Sequence, residues 1–187
     1  MGMIGRSTTA DRVGSIIAML AMTILTLYPA VAQVSDSDQK IVDSFFPQKL
    51  IDDAARDEAA GGYPLVKFSA FATADLDRTG RQDFIVAAYS NGFLGAVRLL
   101  KRVPSGAVLV DEPDEPMMGG VFPAVRMIDL DGDGISEAIV SFSPAGSATG
   151  FAAEWIFKWI PPKLVFMGPP ADDPQPDAEE WWNRKRK

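Results

Sequence analysis

From Tyr63 onward the apolar residues fall into short runs of five to ten, divided by Gly, Pro, Asp and Asn. Runs of this length between turn residues read as β-strands. They predict strands at Val66–Ala74, Asp83–Ser90, Ala96–Val103 and Ala107–Asp111. A Pro- and Gly-bearing link follows over Glu112–Gly120, then strands at Val121–Ile128, Glu137–Ser143, Phe151–Ile160 and Lys163–Met167. Phe84-Ile-Val-Ala-Ala88 lacks polar alternation and so reads as a central strand buried on both faces. Trp155, Phe157 and Trp159 share one face of a strand, where aromatics most often form a core. Before Tyr63 the pattern changes. Residues 33–62 are acidic and Ala-rich without alternation, and predict a short helix ended by Pro47 and a second ended by Gly61-Gly62. After Gly168 the chain turns Pro- and acid-rich, which predicts a flexible tail over 169–187 whose Trp181 and Trp182 are free to dock back.

The first 32 residues stand apart. Arg6 and Arg12 precede an uncharged run from Ile16 to Tyr28, then Pro29 and Ala30-Val-Ala32. A basic start, an apolar centre and a small-x-small site describe a secretory signal peptide cleaved after Ala32. The run is short for a span of about 20 residues, so an uncleaved membrane anchor is the second choice. The mature chain would then be periplasmic or secreted, with 155 residues, 16 basic and 24 acidic side chains.

Within the strand region the sequence repeats. Asp75-Leu-Asp77-Arg-Thr-Gly80-Arg-Gln-Asp83-Phe-Ile-Val86 aligns with Asp129-Leu-Asp131-Gly-Asp-Gly134-Ile-Ser-Glu137-Ala-Ile-Val140 at a constant offset of 54 residues. Repeats of this size with four strands each are the pattern of propeller blades, but a closed ring needs about four or more blades. The fold class that follows is mainly β: two four-stranded antiparallel, blade-like units that do not close into a propeller, after a short helical segment.

Composition narrows the chemistry. The chain has neither Cys nor His and a formal charge of −7. That removes thiol nucleophiles, imidazole bases and nitrogen or sulfur metal sites. An acidic chain is also a poor partner for nucleic acid. Only oxygen ligands remain, and they favour hard cations. The second repeat loop supplies them. Asp129, Asp131 and Asp133 alternate, Gly134 allows a sharp turn, Ile135 offers a carbonyl, and Glu137 follows at the ninth position. Two carboxylates about 5 Å apart repel by roughly 3 kcal/mol at an effective dielectric near 20, a strain that calcium would remove. The twelfth position is Val140 where an EF-hand carries Glu, and the flanks read as strands, so this is a β-corner and not an EF-hand. Without metal, the same residues would make an Asp-rich turn capping its own backbone. The first loop is a weaker copy: Asp75, Asp77, Thr79, Arg81 and Asp83, with Thr79 replacing an Asp and two arginines adding positive charge.

The first repeat, running on through Asn91-Gly92-Phe93-Leu94-Gly95-Ala96-Val97, resembles the FG-GAP repeat of integrin alpha chains and its VCBS-type bacterial relatives. The resemblance covers roughly residues 66–167. It implies a calcium loop between the first two strands of each blade, with ligands at Asp129, Asp131, Asp133, Ile135 and Glu137 and at the matching positions of the first loop. It also implies an extracellular binding or structural module without catalytic activity. Two other classes remain open from the residues: a small periplasmic hydrolase using a metal-bound water, and a metal-free partner subunit of an envelope assembly. The sequence leaves the partner open among a protein, a carbohydrate and a second copy of the chain.

Overall fold

The computed structural model describes residues 35–114, 117, 118, 120–143, 153–169 and 177–186. The leader read over residues 1–32 lies outside them. Among the described residues no helix is long and apolar enough to cross a membrane.

Two helices open the described chain, α1 (Asp36–Ser44) and α2 (Gln48–Ala59). Asp36 and Asp38 sit in the first turn of α1, where the unsatisfied N–H groups favour negative charge. Pro47 separates the two helices. At the end of α2, Gly61 takes φ +89°. Its N–H donates to the Glu58 carbonyl at 3.0 Å, and Gly62 N–H donates to the Asp57 carbonyl at 2.9 Å. This pair of bonds satisfies the last carbonyls and needs a left-handed residue, which the sequence supplies as glycine.

The strands are β1 (Phe68–Ala74), β2 (Phe84–Ser90), β3 (Leu94–Val103), β4 (Gly106–Asp111), β5 (Met117–Met118), β6 (Val121–Ile128), β7 (Glu137–Ser143), β8 (Ala153–Ile160) and β9 (Lys163–Gly168). They form two antiparallel sheets, ordered β1-β2-β3-β4 and β6-β7-β8-β9. The two-residue β5 adds to β3 in the first sheet. Strand β1 packs beside β6 and β4 beside β9, so the first and last strands of one repeat meet their counterparts in the other.

Side-chain alternation then divides each sheet into two faces. Phe84, Val86 and Ala88 of β2 turn toward Val140, Phe142 and Trp155 of the second sheet, forming the main core. Ile85, Ala87 and Tyr89 turn the other way and bury Val42 of α1 and Leu50 of α2. On the far side, Ile139 and Ile156 bury Ala178 and Trp182 of a C-terminal helix, α3 (Ala178–Lys185). The two units do not need to close into a ring, because helices cover the outer face of each sheet. Every residue of β2 is buried, as its uniformly apolar run requires. Trp155, Phe157 and Trp159 are buried in the main core and do not form a surface stripe.

The tail departs from its reading as flexible. Residues 177–186 carry α3, whose N-cap Asp177 accepts from the Glu180 N–H at 2.8 Å. Trp181 lies over Gly168, so close that a Cβ there would meet its ring at 2.4 Å. The basic end does reach an acidic loop region: Arg186 donates to the Leu130 carbonyl at 2.6 Å.

Candidate functional site

Both Asp loops are β-corners, joining β1 to β2 and β6 to β7. Each is held by the same device. Asp75 accepts N–H groups from Thr79 at 2.9 Å and Gly80 at 2.7 Å. Asp129 accepts from Gly132 at 2.8 Å and Gly134 at 2.9 Å. The first Asp of each loop thus folds the turn around its own carboxylate, as short polar side chains do in tight turns. Gly80 and Gly134 take φ +79° and +84°, a conformation that a Cβ would disfavour. Further along the second loop, Asp131 accepts from Asp133 N–H at 3.2 Å, and Asp133 from Ile135 N–H at 2.8 Å.

Among the described residues, one group of acids has oxygens close enough to share an ion. These are Asp129, Asp131 and Glu137, with one oxygen of each within 4.8 Å of the others. Asp133 and Ile135 stand beside this group without joining it. Glu137 opens β7 and has no exposed surface. Its Oε2 accepts from the Leu130 N–H at 2.8 Å. The first loop gathers no such group. Asp83 pairs with Arg81 at 3.0 Å, and Asp77 accepts from Thr79 Oγ1 at 2.9 Å. Arg81 therefore neutralises an acid at a position where the resemblance implies a ligand.

The position between the second-loop acids already holds positive charge. Lys158, from β8, donates through its ammonium to Asp131, to Asp133 at 2.8 Å and to Glu137 at 2.9 Å. In the first loop, Lys101 from β3 donates to Asp77 at 2.9 Å. In both repeats, then, a lysine on the third strand reaches the second Asp of the loop. Burial alone would push the Lys158 ammonium down, but its hydrogen bonds to Asp131, Asp133 and Glu137 outweigh this and hold it above its ordinary value. The hydrogen bond from Lys158 and then the Ile135 N–H hold the Asp133 carboxyl below its usual value. Lys101 and then Thr79 do the same for Asp77.

Arg78 joins the two loops. It takes φ +56°, and its guanidinium donates to the Asp133 carbonyl and lies 3.8 Å from the Asp133 carboxylate. Beside it a cavity of about 520 Å³ opens between the corners, lined by Thr73, Asp75, Gln82, Met127 and Ser136.

Sequence reasoning missed both lysines. The signal was present at Lys158, a lone charge in Trp155-Ile-Phe-Lys158-Trp159, since a charge inside a buried run needs a partner. No protein-family model matches this sequence, and no curated protein or solved structure gives a significant match to the chain.

Proposed function

We propose that the chain is an exported, non-catalytic binding or structural module whose second Asp corner takes a calcium ion. The convergence of Asp129, Asp131 and Glu137 on a loop already folded by its own Asp129 carries this reading. The donor set is all oxygen and suits a hard cation. The resemblance to FG-GAP and VCBS-type repeats supports the same assignment, and the leader supports export to the periplasm or beyond. In this reading calcium competes with Lys158, whose flexible stem lets the ammonium swing away. Competition makes the site weak, in the range of about 10⁻⁴–10⁻³ M typical of extracellular modules. A hydrolase fits less well, because Glu137 is buried and the Lys158 ammonium closes over the acids that would have to hold a reactive water.

The three bonds from Lys158 favour a second reading, in which lysine is the permanent counterion and the module works without metal. Thermal melting of the mature chain with calcium and with chelator separates the two. Tenfold excess calcium over Kd adds about 1.4 kcal/mol, or roughly 3–6 °C in Tm. A rise in the native chain supports the calcium reading. A rise only in Lys158→Met assigns the position to lysine. Equal curves in both chains reject calcium at this corner.

A further inference from the structure

At the opposite end of β2 from the Asp corner, roughly 20 Å along the strand, lies a different kind of hollow. It has a volume of about 470 Å³ and is lined by Asp53, Arg56, Asp57, Tyr63, Asn91 and Phe93. That volume is in the range of small-molecule sites, about 300–1,000 Å³. Tyr63 and Phe93 stack here, with centroids 6.4 Å apart and planes 24° from parallel. Yet they remain 73% and 57% exposed.

Two hydrogen-bonded turns present these rings to water. The β2–β3 hairpin presents Phe93. Asn91 is buried there and accepts from Phe93 N–H at 3.0 Å and Leu94 N–H at 2.8 Å. Its amide donates to the Leu50 carbonyl at 3.1 Å and to Asp53 at 3.2 Å, which fixes the hairpin to α2. The Gly61-Gly62 turn presents Tyr63. The Asp57 carboxylate folds over Gly62, where a Cβ would lie 2.1 Å from its oxygen, and accepts from the Tyr63 N–H at 3.2 Å. The turns that carry the two rings are therefore braced at their backbones before any ligand arrives.

We infer that this hollow is a saccharide-binding site, with Tyr63 and Phe93 as the stacking platform and Arg56 and Asp57 as the polar rim. A sugar ring has an apolar C–H face and an edge of hydroxyls that both donate and accept. An aromatic pair flanked by a guanidinium donor and a carboxylate acceptor matches both parts. An anion would meet Asp53 and Asp57. Arg56 stands 3.3 Å from Asp53 and offsets its charge, so a cation would gain from Asp57 alone. A neutral polyhydroxylated ligand uses the guanidinium, the carboxylates and the aromatic faces together.

The test is isothermal titration of the mature chain with neutral hexasaccharides of α- and β-linked glucose, of N-acetylglucosamine and of mannose, with tetramethylammonium as a control. At least one hexasaccharide binds saturably at millimolar concentration or below. Phe93→Ala and Tyr63→Ala each weaken it by roughly tenfold, the size of one lost aromatic contact. Arg56→Ala, at a side chain that makes few contacts, weakens it as well and guards against an aromatic variant that fails to fold. Chelator leaves the binding unchanged, so its outcome is independent of calcium at the Asp corner. Failure of every hexasaccharide to saturate, retained affinity in the Tyr63→Ala, Phe93→Ala double variant, or preference for tetramethylammonium overturns the assignment.

Discussion

The Lys158 ammonium stands 2.9 Å from a Glu137 carboxylate oxygen. Glu137 is the one charged side chain among the described residues that is buried. Its other oxygen bonds the Leu130 N–H at 2.8 Å, so the pair ties β7, β8 and the start of the Asp loop together. Removing one member of a buried pair strands the other charge, a loss of about 3 kcal/mol or more. In calcium-free buffer, Lys158→Met therefore lowers Tm by roughly 6–12 °C. The double variant Lys158→Met, Glu137→Gln recovers much of that loss, since no buried charge is left without a partner and Asp131 and Asp133 keep access to water. Melting curves for the two single variants and the double variant measure the coupling, and strict additivity would mean that the pair is not a unit.

A second cluster governs acid stability. Glu112 pairs with Lys49 of α2 at 2.9 Å and with Arg98 of β3 at 2.6 Å. Burial pushes the Glu112 carboxyl up, and the hydrogen bonds from Lys49 and Arg98 more than reverse this, leaving it below its ordinary 4.5. A depressed carboxylate contributes stability that is complete above its ordinary value and fades as pH falls through the folded value. Tm should thus hold steady from neutral pH to about 5 and then decline. Glu112→Gln lowers the plateau and makes the acid decline shallower, and a set of melts from pH 7 to 3 shows whether the slope changes.

Much of this architecture is legible in the sequence because glycine and aspartate punctuate it. The bounds of β6 and β7 match the reading residue for residue, and β2 differs by one position. Strand β3 begins at Leu94, ahead of the expected Ala96, because the Asn91 side chain caps two N–H groups and tightens the hairpin. Helix α3 was legible in principle: Asp177-Ala-Glu-Glu180 is an N-cap with an acid three residues later. The Pro-rich residues before it masked that signal. The lysine counterions were not legible as such. Lys158 meets Asp131 across 27 residues of chain, and only the register of β7 against β8 brings them together.

Sheet-on-sheet packing depends on one missing side chain. Gly95 of β3 faces the second sheet, and a Cβ there would lie 2.8 Å from the ring of Phe142. Phe142 is itself buried among β7 and β8 neighbours and stacks edge-on against Trp155 at 5.9 Å, so it has little room to move. Gly95→Ala should cost about 1–3 kcal/mol through overpacking. Adding Phe142→Leu should return part of that stability by relieving the clash, although Phe142→Leu alone destabilises. Chemical denaturation of the four chains gives the sign of the coupling, and a Gly95→Ala chain as stable as the parent would show that the sheets sit further apart.

The outer helical layer hangs on Tyr89. Its hydroxyl donates to the Val42 carbonyl at 3.0 Å, and its ring meets Phe46 edge-on at 5.6 Å. Burial pushes the phenol well above its ordinary 10. A raised acid is a group that the fold keeps neutral while the unfolded chain ionises, so stability falls as pH rises through the ordinary value. Tyr89→Phe loses about 1 kcal/mol at neutral pH with the hydrogen bond. Above pH 10 the variant loses less with further alkalinity than the parent does, because it has no phenol to ionise. The gap between the two chains should therefore narrow from pH 8 to 11, with amide exchange in α1 faster in the variant. A gap that stays constant would place the Tyr89 hydroxyl in contact with solvent and detach α1 from the sheet.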